Sequence, residues 1–221
     1  MISGSNLLKS AILAASLAVL FGAGAVAANA GEPKIEQCLN PEICPIPYVR
    51  LAKQETEPFL FQGKVVDVNH PRYGYYRQAL RGFPDVRSCL TTDERDKPQP
   101  DLRQIDWDAI HDVQEISVCV FRIASSIEDV EAIRTWLRYH DFSVGKGSRI
   151  RRENYVPKYE TESMFGFSAI LTIEKFRKIV PRSWFARLIG FEGGRSFSLS
   201  ISFSQNGQVV GVGLGGSTIL N

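Results

Sequence analysis

The strongest constraint on this chain lies near its end. Phe197, Leu199, Ile201 and Phe203 alternate with Ser196, Ser198, Ser200, Ser202 and Ser204. A period of two collects the apolar set on one face only if the backbone is a strand. Asn206-Gly207 follows, the favoured pair for a two-residue type I′ hairpin turn. Such a turn fixes the register: it predicts Phe203 opposite Val210, Ile201 opposite Val212 and Leu199 opposite Leu214. All three pairs are apolar, so that face belongs to a core.

The other face of the same hairpin carries Ser202 opposite Gly211, Ser200 opposite Gly213 and Ser198 opposite Gly215. Glycine weakens a strand and serine is no favourite there, so the pattern is locally costly. Close approach of another group to the backbone is one reason to keep it. Ser198, Ser200, Ser202, Gly211, Gly213 and Gly215 are therefore the candidate binding residues, suited to a partner's backbone, a glycan or an acyl chain.

Working backwards, residues 172–190 read as a helix capped by Thr172, with Ile173, Phe176, Val180, Trp184 and Leu188 as its apolar stripe and Pro181 as a kink. Residues 165–171 and 142–150 read as strands, the second interrupted by Gly145 and Gly147. Ser126, three residues before Asp129, signals the start of a helix ending near His140, with Val130, Ile133 and Leu137 on one face. Residues 115–123 are β-branched and almost continuously apolar, as expected of a strand buried on both faces in the middle of a sheet. Together these elements predict an α+β fold, a mainly antiparallel sheet with two helices on one face and a closing β-hairpin.

The region before residue 110 differs in composition. Nine of the eleven prolines fall between Pro33 and Pro100, so residues 31–110 read as a proline-rich, irregular segment joined to an α+β domain at 111–221. Within it, residues 61–68 read as a strand, Tyr73, Tyr75 and Tyr76 form an aromatic cluster, and residues 93–100 read as a loop or linker.

The first thirty residues carry one cation, Lys9, then an apolar run over residues 11–28, then Ala28-Asn29-Ala30. That order is expected of a secretory signal peptide cleaved after Ala30, leaving Gly31 as the new start and no membrane span. Its removal deletes Lys9 alone from the 26 Lys+Arg, against 24 Asp+Glu. The near-neutral balance gives no footprint for nucleic acid, and the cluster Lys146, Arg149, Arg151 and Arg152 is a solvated turn. No Asn-x-Ser/Thr sequon occurs, which favours a bacterial envelope and a periplasmic or extracellular location.

Cys38, Cys44, Cys89 and Cys119 all follow the cleavage point, an even number in an oxidising compartment. Pairing Cys38 with Cys44, across a proline-bearing segment that can fold back, leaves Cys89 for Cys119. Without a Cys-x-x-Cys, and with His70, His111 and His140 off helical ligand spacing, no metal and no cofactor are expected. Gly211 to Gly216 matches G-x-G-x-x-G, but the chain ends before a helix could follow to receive a pyrophosphate. A nucleophile elbow is absent.

Weaker candidates are a cysteine nucleophile at Cys89 or Cys119 with His111 or His140, and the pairs Asp106 with Asp108 and Glu160 with Glu162 as general acid and base. The reading these features favour is an exported, non-catalytic cell-envelope domain that binds a protein or envelope component. The alternative is a small exported hydrolase using Asp, Glu or His near residue 110.

Overall fold

A computed structural model describes residues 44–150, 164–172, 174 and 194–218. The expected signal peptide, Cys38, the pair Glu160 and Glu162, Arg151 and Arg152, and all but the edges of the expected helix at 172–190 lie outside the described residues. The chain order is β1 (Leu60–Phe61), β2 (Lys64–Val65), α1 (Tyr73–Gly82), α2 (Thr92–Arg95), α3 (Val113–Ile127), α4 (Val130–Tyr139), β3 (Ser143–Val144), β4 (Ser148–Ile150), β5 (Met164–Thr172), β6 (Gly194–Phe203) and β7 (Val209–Thr218). The fold is α+β. Its main sheet runs β3-β5-β6-β7, with β4 also on β5, and every pairing is antiparallel.

The closing hairpin holds the expected register over most of its length. Ser202 faces Gly211, Ile201 faces Val212, Ser200 faces Gly213, Leu199 faces Leu214 and Ser198 faces Gly215. The turn itself corrects the expectation, because Phe203 pairs with Val209 rather than Val210. Ser204 N–H donates to Gln208 O at 2.8 Å and Gly207 N–H donates to Ser204 O at 3.1 Å, which closes a three-residue loop. Only Gly207, at φ 79°, takes the left-handed conformation, whereas a type I′ turn needs it at both central residues. A bulge between Ser202 and Phe203 then restores the register. Both Val209 and Val210 end up buried, which a two-residue turn would not offer them.

The second correction concerns residues 115–123, which are not a strand but the middle of α3. A continuous apolar run suits a helix buried on all sides as well as a buried strand, and here 13 residues from Glu115 to Ile127 are buried. Asp112 caps this helix, its Oδ1 accepting from the amides of Gln114 at 2.9 Å and Glu115 at 2.8 Å. Ser126 belongs to its last turn rather than starting α4. There its Oγ donates to Arg122 O and accepts from Ala52 N–H, at 2.8 and 3.0 Å. Asp129 caps α4, accepting from Ala132 N–H at 2.7 Å.

The proline-rich segment is more regular than its composition implies. Residues 61–68 are not one strand: Gln62 and Gly63, both at positive φ, turn the chain between β1 and β2. The tyrosine cluster lies on α1, which buries Tyr76, Ala79 and Leu80. Of residues 93–100, the first three belong to α2 and 96–100 form the expected loop, tied down because the buried Glu94 bonds Lys97 Nζ and Asp101 N–H.

One core of buried residues runs from Ile46 to Val212, drawing on both sides of position 110. At its centre α3 packs between α1 and the inner face of β7. Cys89 and Cys119 form a disulfide with Cα atoms 5.5 Å apart, fastening the segment before α2 to that helix. Cys44 is disulfide-bonded too.

Candidate functional site

Three neighbouring strands build the outer face of the sheet. Pairing across β5, β6 and β7 aligns Ser168, Ser200 and Gly213 in one row, Ile170, Ser198 and Gly215 in a second, and Gly166, Ser202 and Gly211 in a third. Parity explains the sorting. Phe167, Ala169 and Leu171 of β5 and Phe197, Leu199 and Ile201 of β6 point into the core, so their small and hydroxyl-bearing neighbours point out.

The three rows differ in exposure. Ser168, Ser200 and Gly213 are all exposed, and a Cβ at Gly213 would meet nothing within 4 Å. Ile170 is a large apolar side chain 47% exposed on the second row, beside the exposed Gly215. The third row is closed: Gly166 and Gly211 are buried, and a Cβ on Gly211 would stand 3.2 Å from Gln62 N in the β1–β2 turn. At Gly211, then, close approach to the backbone is made by the chain's own hairpin. Ser168 and Ile170 were missed as site residues because strand order is not legible locally, although β5 repeats the small-residue parity of β6.

The hydroxyls of this face are already engaged within the sheet. Ser168 Oγ and Ser200 Oγ lie 3.1 Å apart, and Ser198 Oγ donates to Gly215 O at 2.9 Å. The result is a smooth strip with few protruding side chains.

The catalytic candidates are held elsewhere and in other roles. Cys89 and Cys119 are bonded to each other, so neither is a thiolate nucleophile. Asp106 accepts from Arg95 at 3.3 Å and from Ala109 N–H at 3.1 Å, which holds a turn. Asp112 is a helix cap. His140 is buried among the rings of Trp107, Trp136 and Tyr139, its Nε2 without a hydrogen-bond partner. Burial pushes its pKa down to about 4, with Asp101 and Asp141 opposing and Arg103 assisting. Among the described residues no group of three or more His, Cys, Asp or Glu could hold a metal ion, and no helix is long and apolar enough to cross a membrane.

Comparison of the chain with known family models, curated proteins and solved structures finds no match. Its function has to be argued from the site.

Proposed function

We propose that this chain is an exported, non-catalytic domain of a bacterial cell envelope that binds another protein through the open rows of its outer sheet face. The observation that carries the reading is the Ser168-Ser200-Gly213 row, exposed throughout and open above Gly213. A glycan needs several free donors, and here Ser198 Oγ donates to Gly215 O while Ser168 and Ser200 share one hydrogen bond, which leaves one hydroxyl proton free among the three. A partner's backbone needs only a flat approach and an apolar anchor, which Ile170 supplies beside the glycines. The Cys89–Cys119 disulfide supports an oxidising compartment.

The test compares the parent protein with Ser200→Tyr/Gly213→Tyr as baits in envelope extract, followed by binding of the recovered partner in purified form. The expected result is loss of that partner from the variant at an unchanged melting temperature, since neither residue contributes to the core. Equal recovery by both baits overturns the assignment of the face. Export is tested by intact mass, expected to show a chain starting at Gly31; a chain retaining Lys9, recovered only with membranes, overturns it.

A further inference from the structure

A second surface, remote in sequence from the sheet face, is built by the β1–β2 turn and the start of α1. A cleft of about 240 Å³ opens there, lined by Phe61, Gln62, Lys64, His70, Pro71 and Arg72. Its floor is aromatic and its walls are basic. The Arg72 guanidinium lies over the Phe61 ring at 4.5 Å, and His70 Nδ1 accepts from Arg72 N–H at 3.1 Å. No carboxylate lines the cleft, and neither Lys64 nor Arg72 forms a salt bridge among the described residues. The wall is also held in place, because Gly63 N–H donates to Val210 O at 2.7 Å and the Gln62 backbone abuts Gly211.

The surroundings extend this character. Between Phe61 and Gly82 the exposed cations Lys64, Arg72, Arg77 and Arg81 are opposed by a single acid, Asp67. The near-neutral charge of the whole chain hides this local excess. The same stretch also concentrates exposed apolar side chains: Val65, Val68 and Tyr75 are 42%, 73% and 54% exposed. No acidic residue occupies the first turn of α1 to offset the positive end of the helix. Cations interleaved with exposed aliphatic and tyrosine side chains match a lipid interface, where the charges meet headgroup phosphates and the apolar groups enter the headgroup layer.

We propose that this face docks on an anionic lipid surface, with Lys64 and Arg72 seating a headgroup phosphate in the cleft and Val68 and Tyr75 entering the interface. The test is sedimentation of the full-length chain with vesicles of phosphatidylcholine alone and of phosphatidylcholine mixed with phosphatidylglycerol. Lys64→Gln/Arg72→Gln and Tyr75→Ser are run beside it. All three proteins share residues 11–28, an uncharged apolar run that binds either vesicle type, so the quantity compared is the salt-released increment that phosphatidylglycerol adds, read at lipid concentrations below saturation.

The parent is expected to prefer the mixed vesicles and to release with added salt. Loss of two cations should lower its binding by about 30-fold, and Tyr75→Ser should lower it by a smaller factor. Equal binding to both vesicle types, or equal binding by parent and double variant, overturns the proposal. Binding of glycerol 1-phosphate in solution without vesicle binding also overturns it, in favour of a free phosphorylated ligand. Should loss of the Arg72 cover over Phe61 lower the melting temperature, Lys64→Gln alone is read instead. Its expected loss is about 5-fold, and unchanged binding overturns the proposal.

Discussion

Gly211 and Gln62 are in backbone contact: the amide nitrogen of Gln62 lies 3.2 Å from where a Cβ on Gly211 would stand. Gly213, two residues along the same face, has nothing within 4 Å. Valine at the first position must displace backbone, while valine at the second projects into open space. Gly211→Val should therefore lower stability by about 1–3 kcal/mol, and Gly213→Val, which removes a strand-weakening glycine without a clash, should raise it by up to about 1 kcal/mol. Urea unfolding of both variants checks this; equal destabilisation would mean that the two ends of the face are covered alike.

The Cys89–Cys119 disulfide closes a span of 30 residues between the segment before α2 and the middle of α3. A loop of that size restricts the unfolded chain by about 3–4 kcal/mol in the entropy model. Replacing both cysteines with Ala should therefore lower the melting temperature more than the same change at Cys38 and Cys44, which are only six positions apart. Thermal unfolding of the two double variants decides, and a larger loss at the Cys38 and Cys44 positions would contradict the entropic account.

How far the sequence could be read depended on whether a segment had a distinctive period. Alternation from Ser196 to Ser204 admits only a strand, so β6 and most of its register with β7 were legible, and the error was confined to the turn, where one glycine rather than two residues takes positive φ. In α3 the apolar run leaves no period, and Ile116, Val118, Val120 and Ile123 bias a reader toward a strand. The cap at Asp112, with Glu115 three residues on, was the signal that could have decided it. The site was half legible: β6 and β7 announced Ser200 and Gly213, but the place of Ser168 beside them depends on strand order.

Arg122, wholly buried in α3, is the polar residue that most nearly resembles a functional one, yet its contacts are structural. Its Nη1 donates to Glu57 O at 2.6 Å, its Nη2 to Gln54 Oε1, and its Nε points to Phe83 O at 3.5 Å. Desolvation lowers its pKa to about 10, so it stays charged at neutral pH. Arg122→Leu should cost about 1–3 kcal/mol, since Phe83 O is left buried without a donor and the half-buried Gln54 and Glu57 lose theirs. Arg122→Lys should also destabilise, because one ammonium group cannot reproduce the planar fork. Denaturant unfolding at pH 7 measures both, and a neutral Lys variant would show that charge alone suffices.

His140 gives the stability a pH dependence of predictable sign. It stands at the C-cap of α4, where the helix end favours a cation by about 0.3–1 kcal/mol. Burial outweighs that, together with the pull of Asp101 and Asp141, and brings the folded pKa to about 4 from the ordinary 6.5. Between those values the unfolded chain binds a proton that the native state excludes. The contribution is therefore fully present above pH 6.5 and falls away toward pH 4, by about 3 kcal/mol. Other titrating groups, among them the buried Glu115, are shared with a His140→Gln variant, so the difference between the two proteins isolates the imidazole. Whatever the variant costs at pH 7, the unfolding free energy of the parent minus that of the variant should fall by about 3 kcal/mol as pH drops across this window. Parallel curves would show that His140 protonates in the native state as readily as in the unfolded chain, and that its ring is not sealed among Trp107, Trp136 and Tyr139.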